Sequence, residues 1–195
     1  MLVLAGGVEL KRSTTGQDHD DTHESSVRTS LNSWIDRETS PIIDAIYRRG
    51  ADLLRMDEAL LRHRGDDEHQ TDDLDFKGSL AESLQLVHYD VGQEYTAHHD
   101  FGYPSVRHKN TPSRSANILL YLNDVPAGGE TAFPRWMNAE TSGALKVKPE
   151  RGKAVLFYSL LPDGNMDDLS QHAALPVMQG EKWMANMWIW DPIRT

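Results

Sequence analysis

Beyond residue 80 the chain breaks into short apolar runs fenced by turn residues, and no other property of the sequence limits its fold as tightly. Leu84-Gln85-Leu86-Val87-His88-Tyr89 alternates and stops at Asp90-Val91-Gly92, while the nearly continuous run Ala116 to Leu122 stops at Asn123-Asp124. Ala154 to Tyr158 and Trp183 to Trp190 follow, with Gly128-Gly129, Pro149 and Gly152 as punctuation. Such runs predict strands, because alternate side chains of an extended chain share a face and turn residues end the pairing. Ahead of them, Ser40 can cap a helix, Pro41 suits its first position, and Ile42, Ile43, Ile46, Leu53 and Leu54 recur at helical spacing. The pattern predicts a helix over roughly residues 41 to 63, weakened at Gly50. That helix would pack outside a mainly β core, a sandwich or small barrel.

A chain of 195 residues suits a single domain, with residues 1–80 supporting a strand core over 81–195. Two polar stretches read as loops: Asp18 to Glu24, and the acidic segment Gly65 to Asp75. The balance of 20 Lys+Arg against 30 Asp+Glu, with no basic run, argues against nucleic acid or an anionic membrane as partner. Cysteine is absent, so disulfides, thiolate metal sites and a cysteine nucleophile are excluded, and any metal must sit on His, Asp or Glu. No apolar run approaches a membrane span, and Met1 to Ala5 is too short for the apolar part of a signal peptide.

Two His-x-Asp pairs are candidates for one site, His19/Asp21 and His98/Asp100. Residues i and i+2 of a strand point to one face, so His98 and Asp100 can hold one ion while His99 points away. Only the second copy follows a predicted strand; the first reads as solvated loop charge. His172, just before an aromatic-rich strand, is the best third ligand, and two His with one carboxylate form the facial triad of non-haem Fe(II) sites. The competing reading is a lone histidine satisfied at the surface or in the core. Lys182 stands in an apolar, aromatic strand, where an unpaired ammonium is costly. It either meets an anion, such as the far end of a dicarboxylate chelating the metal, or snorkels to solvent at a strand edge.

These residues resemble the Fe(II)- and 2-oxoglutarate-dependent prolyl 4-hydroxylases, in particular the plant and algal type and the collagen enzyme's catalytic domain. The likeness runs from about Arg28 to Trp190. It is carried by Val27-Arg28-Thr29-Ser30, by Leu84 to Asp100, by Leu119 to Val125 with Gly128-Gly129-Glu130-Thr131-Ala132-Phe133-Pro134, and by Val147-Lys148-Pro149. Gly152-Lys153-Ala154 and the His172 to Lys182 segment closing at Trp188 complete it.

The resemblance implies a double-stranded β-helix of the jelly-roll, cupin-like kind, with iron at its open end. It implies His98, Asp100 and His172 as iron ligands, and Lys182 as partner of the distal 2-oxoglutarate carboxylate. Tyr89 and Thr131 are implied to help hold the cosubstrate, and Tyr95, Arg114 and Trp188 to bind peptide. From the residues alone, Tyr95 and Trp188 also suit core packing, and Arg114 suits a solvated strand start. The implied cofactors are Fe(II), 2-oxoglutarate, O2 and ascorbate, and the implied partner is a proline-rich peptide or protein. The implied reaction turns peptidyl proline into 4-hydroxyproline with release of succinate and CO2. Rival readings are a same-fold oxygenase acting on another side chain or a small molecule, and an inactive binding domain. A metallohydrolase on the same ligands leaves Lys182 without a task.

The chain departs from this pattern in three places. It starts at Met1 without the usual further strand and helix, so it is either a fragment or uses Leu2 to Leu10 in part for that layer. The resemblance places it in the endoplasmic reticulum if a leader or anchor precedes Met1, and otherwise in the cytoplasm. Leu175 stands where relatives often carry a cysteine. Asp57 to Asp75 reads as an acidic insertion, and Trp190 occupies a position that is polar in some relatives.

Overall fold

The computed structural model describes residues 9–14, 26–63, 78–101, 113–138 and 143–191. The loops expected at Asp18 to Glu24 and Gly65 to Asp75 lie outside them, as does the His19/Asp21 pair. In chain order the strands are β1 (Lys11–Arg12), β2 (Leu31–Ile35), β3 (Leu84–Tyr89), β4 (Tyr95–His98), β5 (Arg114–Tyr121) and β6 (Ala127–Gly128). They continue as β7 (Thr131–Asn138), β8 (Gly143–Val147), β9 (Ala154–Tyr158), β10 (His172–Ala174), β11 (Val177–Gln179) and β12 (Lys182–Trp190). Among the described residues one α-helix, α1 (Pro41–Leu54), lies between β2 and β3.

The strands form a large antiparallel sheet in the order β1-β2-β3-β12-β5-β9, a second sheet in the order β4-β10-β7-β8, and a small β11-β6 pair. Because strand side chains alternate, β12 serves two cores. Ala185, Met187 and Ile189 join Ile43, Tyr47 and Ala51 of α1 in one cluster, while Met184 joins Val87, Tyr89, Leu119, Tyr121 and Val177 in another.

Helix α1 begins as expected, with Pro41 in its first turn and the Ile43 N–H donating to Ser40 Oγ at 3.3 Å. It ends earlier than expected. Arg55 takes a left-handed conformation (φ 54°) and its N–H caps the carbonyls of Ala51 and Asp52. A separate 3₁₀ turn at Glu58–Leu61 follows. Ile42 and Leu53, both expected on the apolar face, are exposed, and the buried stripe is instead Ile43, Tyr47, Gly50 and Ala51. Gly50 marks close approach: a Cβ there would lie 2.9 Å from Met187 Sδ, so the missing side chain lets the helix settle on β12.

Candidate metal centre and cosubstrate pocket

Neighbouring strands of the second sheet bring His98, Asp100 and His172 together from segments far apart in the chain. His98 ends β4 and Asp100 lies two residues on, past the strand. The strand expected to carry both therefore stops at the first, and a bend completes the pairing. His172 opens β10, which pairs with β4 in a register that sets His172 directly opposite His98. One ligand atom from each of the three side chains lies within 4.8 Å of the others. Asp100 Oδ1 is 3.7 Å from His98 Nε2, and Asp100 Oδ2 is 3.5 Å from His172 Nε2.

Each imidazole is anchored through its other nitrogen. His98 Nδ1 donates to the Thr96 carbonyl at 2.7 Å, and His172 Nδ1 to the Ser170 carbonyl at 3.0 Å. This leaves both Nε2 lone pairs turned toward Asp100, the orientation that ligand histidines need. Burial, assisted by the nearby His172, pushes His98 down to about 3, so its ring is neutral at physiological pH. Burial alone would raise Asp100, but His172, His98, Arg114 and the Trp188 indole together hold it below its usual value. Two imidazoles and one carboxylate are the donor set suited to Fe(II), and the neutral His98 ring has no proton to lose first.

Residues expected to bind peptide support these groups. Tyr95 stacks on His98 with ring centroids 3.5 Å apart, and Trp188 Nε1 donates to Asp100 Oδ2 at 2.9 Å. Arg114 sits 3.8 Å above the Trp188 ring, held by two hydrogen bonds to the Glu82 carboxylate. Packing and site contact are thus one arrangement for Tyr95 and Trp188, and Arg114 is paired rather than merely solvated. His99 points elsewhere, with its Nε2 3.8 Å from Asp168.

One cavity has His98, Asp100, His172, Tyr89, Tyr95, Thr131 and Trp188 among its lining residues. Lys182 lies just behind its wall. It is fully buried in the central strand β12, which overturns the snorkelling alternative. Its Nζ is 5.3 Å from the Tyr89 ring centroid and 5.5 Å from that of Tyr121, and donates to the Gly129 carbonyl at 2.7 Å. Burial, partly opposed by Glu130, lowers its pKa to about 7. A cation so dehydrated regains most by meeting an anion.

Tyr121 and an Arg28–Gln85–Asn186 cluster escaped the sequence reading. Tyr121 donates its hydroxyl to Thr131 Oγ1 at 2.6 Å, and burial pushes its own pKa up to about 12, so it stays a donor. Arg28 lines the cavity and donates to Gln85 Oε1, as does Asn186. Tyr121 lay within the nearly continuous Ala116–Leu122 run, which marks a strand but not which face each side chain takes. The Arg28–Gln85–Asn186 cluster joins three distant segments and had no local signal.

Comparison with known proteins agrees with this geometry. Residues 84–190 match the model of the 2OG-Fe(II) oxygenase superfamily. The chain belongs to that superfamily, whose name carries iron and 2-oxoglutarate. A probable prolyl 4-hydroxylase 9 of Arabidopsis thaliana is 42% identical over 122 residues, covering 58% of this chain and 42% of that protein. Probable prolyl 4-hydroxylase 3 of the same plant is 31% identical over 201 residues, covering 97% of this chain and 63% of its own length. The chain thus spans less than two thirds of these relatives. Among solved structures, the viral collagen prolyl hydroxylase of Paramecium Bursaria Chlorella virus-1, as its 2OG complex, aligns with TM-score 0.62 and 26% identity over 84% of this chain and 80% of that one. The facing sheets are the double-stranded β-helix expected from the resemblance.

Proposed function

We propose that this chain is an Fe(II)- and 2-oxoglutarate-dependent prolyl 4-hydroxylase acting on proline within a peptide. The observation that carries the reading is the pairing of the His98–Asp100–His172 cluster with a fully buried lysine behind the wall of the same cavity. In this reading the three side chains hold iron, and Lys182 receives the distal carboxylate of 2-oxoglutarate. Iron held there, with 2-oxoglutarate and O2, supplies an oxidant strong enough to hydroxylate an unactivated ring carbon, with succinate and CO2 as co-products.

The protein's own work is to bind, orient and exclude water. Burial raises Tyr89, which therefore stays protonated and can donate to the cosubstrate beside Lys182. Thr131, oriented by Tyr121, closes that end. Leu119, Met184, Ala173 and Ala174 give the cavity apolar walls that keep solvent from the reacting atoms. Tyr95 and Trp188 present flat faces beside the ligands, which suits a proline ring in an extended, preformed polyproline II segment. Ascorbate enters as the reductant that sustains turnover, consistent with an iron site that must stay ferrous.

The test is succinate formation with Fe(II), ascorbate and 2-oxoglutarate, compared between proline-rich and proline-free peptides, with product mass read in parallel. Proline-dependent succinate release with one added oxygen on proline is the expected result. Turnover on lysine peptides or small molecules alone would give the site to a same-fold oxygenase of other specificity, and no turnover would leave a binding domain.

A further inference from the structure

The face of β12 turned toward the cavity carries Met184, Asn186 and Trp188 in succession. Asn186 is only 8% exposed. Its Nδ2 donates to Gln85 Oε1 at 3.0 Å, and Arg28 Nη2 donates to the same oxygen at 3.0 Å. The arginine decides which way both amides face. A guanidinium only donates, so the end of Gln85 that it meets is the oxygen, and the end of Asn186 that meets that oxygen is the NH2 group. Asn186 Oδ1 is therefore the end turned away from Gln85. It is buried, with no hydrogen-bond partner among the described residues. Such an acceptor is costly unless an ordered water or a ligand brings it a donor.

The groups assigned to the site narrow what that donor is. Ionised 2-oxoglutarate carries acceptors only, so it cannot satisfy an amide oxygen. A proline within a peptide has no N–H either. The residue beside it does, unless it is also proline. Asn186 is two residues from Trp188, whose indole holds Asp100, roughly 7 Å along the strand. Asn186 thus lines the same cavity as the three side chains, one same-face position along β12 from the residue that holds Asp100, a spacing comparable to that between neighbouring residues of an extended substrate.

We propose that Asn186 Oδ1 accepts the backbone N–H of a non-proline residue flanking the target proline, making Asn186 a specificity residue that favours interrupted proline sequences over uninterrupted polyproline. This rests on the prolyl hydroxylase reading above. The experiment uses the wild-type chain with Fe(II), 2-oxoglutarate and a proline-rich host peptide whose central proline has alanine on both sides. Two further peptides carry an N-methyl group on one or the other alanine. Methylation at one flank is expected to lower kcat/KM about tenfold, the scale of one unmade buried hydrogen bond. Asn186→Leu should lose a similar factor on the unmodified peptide and no longer distinguish it from the methylated one. General structural damage would lower both rates and leave their ratio intact. Equal rates for all three peptides with the wild-type chain would overturn the proposal, and that comparison stands even if the variant fails to fold. Retained discrimination in a folded Asn186→Leu protein would overturn it too. If 2-oxoglutarate is consumed but no prolyl peptide is hydroxylated, the substrate reading itself has failed, a result distinct from hydroxylation indifferent to methylation.

Discussion

The two faces of β12 do opposite work with the same backbone. On the face under α1, Ala185, Met187 and Ile189 are fully buried among apolar side chains and satisfied by shape alone. On the other face, Lys182, Asn186 and Trp188 are also buried, yet each carries a polar group that must be met: by Gly129, by Gln85, by Asp100. Apolar burial tolerates any neighbour of suitable volume, whereas polar burial demands a particular atom at a particular place. One face therefore holds the fold together, and the other records what the fold is meant to hold.

That contrast breaks most visibly at the ligands. His172→Ala should lower iron-dependent succinate formation at least about a hundredfold, since changes that merely reorient ligands already cost 10–100-fold in metal affinity or activity. The chain should still unfold cooperatively by circular dichroism. Near-normal turnover would remove His172 from the metal site.

On the opposite face, Met187→Ala should cost about 2–5 kcal/mol in denaturant-measured stability, the usual loss for a buried large-to-small change. Iron affinity of the folded protein should stay unchanged, because the side chain packs toward Gly50 of α1. A variant of wild-type stability and weakened iron binding would mean that the two faces are not separable.

Lys182→Ala should raise the 2-oxoglutarate requirement about 10–100-fold, on the scale of a lost hydrogen bond to a charged group, with a smaller change in the maximal rate. The pH dependence sharpens this. The folded pKa of about 7 lies well below the unfolded value, so from about pH 7 to about pH 10 the unfolded chain holds the extra proton. Without ligand, this group makes stability rise with pH across that window. A dianion needs the ammonium, so its binding should weaken as pH rises above about 7. Titrations at pH 7 and pH 9 should show this in the wild type and not in Lys182→Ala.

The smallest change is Trp188→Phe, which keeps an aromatic ring beneath Arg114 but removes the N–H that reaches Asp100. Iron affinity should fall about tenfold, at the low end for loss of a group supporting a ligand. An unchanged affinity would reduce Trp188 to a packing residue.

The strand runs, the helix start at Ser40-Pro41 and the two-His, one-Asp set were legible in the sequence because each depends on local spacing or residue chemistry. The helix end was not. Leu61 continues the apolar supply expected of a helix, but the chain turns left-handed at Arg55 and spends Leu61 on a separate 3₁₀ turn. Gly50 read as a weakness, because only the packed structure shows Met187 filling the space where its side chain would be.

By itself the sequence determined which residues are able to do the chemistry: His98, Asp100 and His172 as a donor set, and Lys182 as a charge in an apolar strand that either meets an anion or reaches solvent. The tertiary structure decided what those residues face. It set His172 opposite His98, turned both Nε2 atoms toward Asp100, buried Lys182 between Tyr89 and Tyr121, and left the Asn186 oxygen without a partner among the described residues. The division has a physical origin. Residue type and local spacing fix chemistry and periodicity, whereas hydrogen bonds between strands distant in sequence depend on register, which is settled only when the whole sheet pairs and the two cores close.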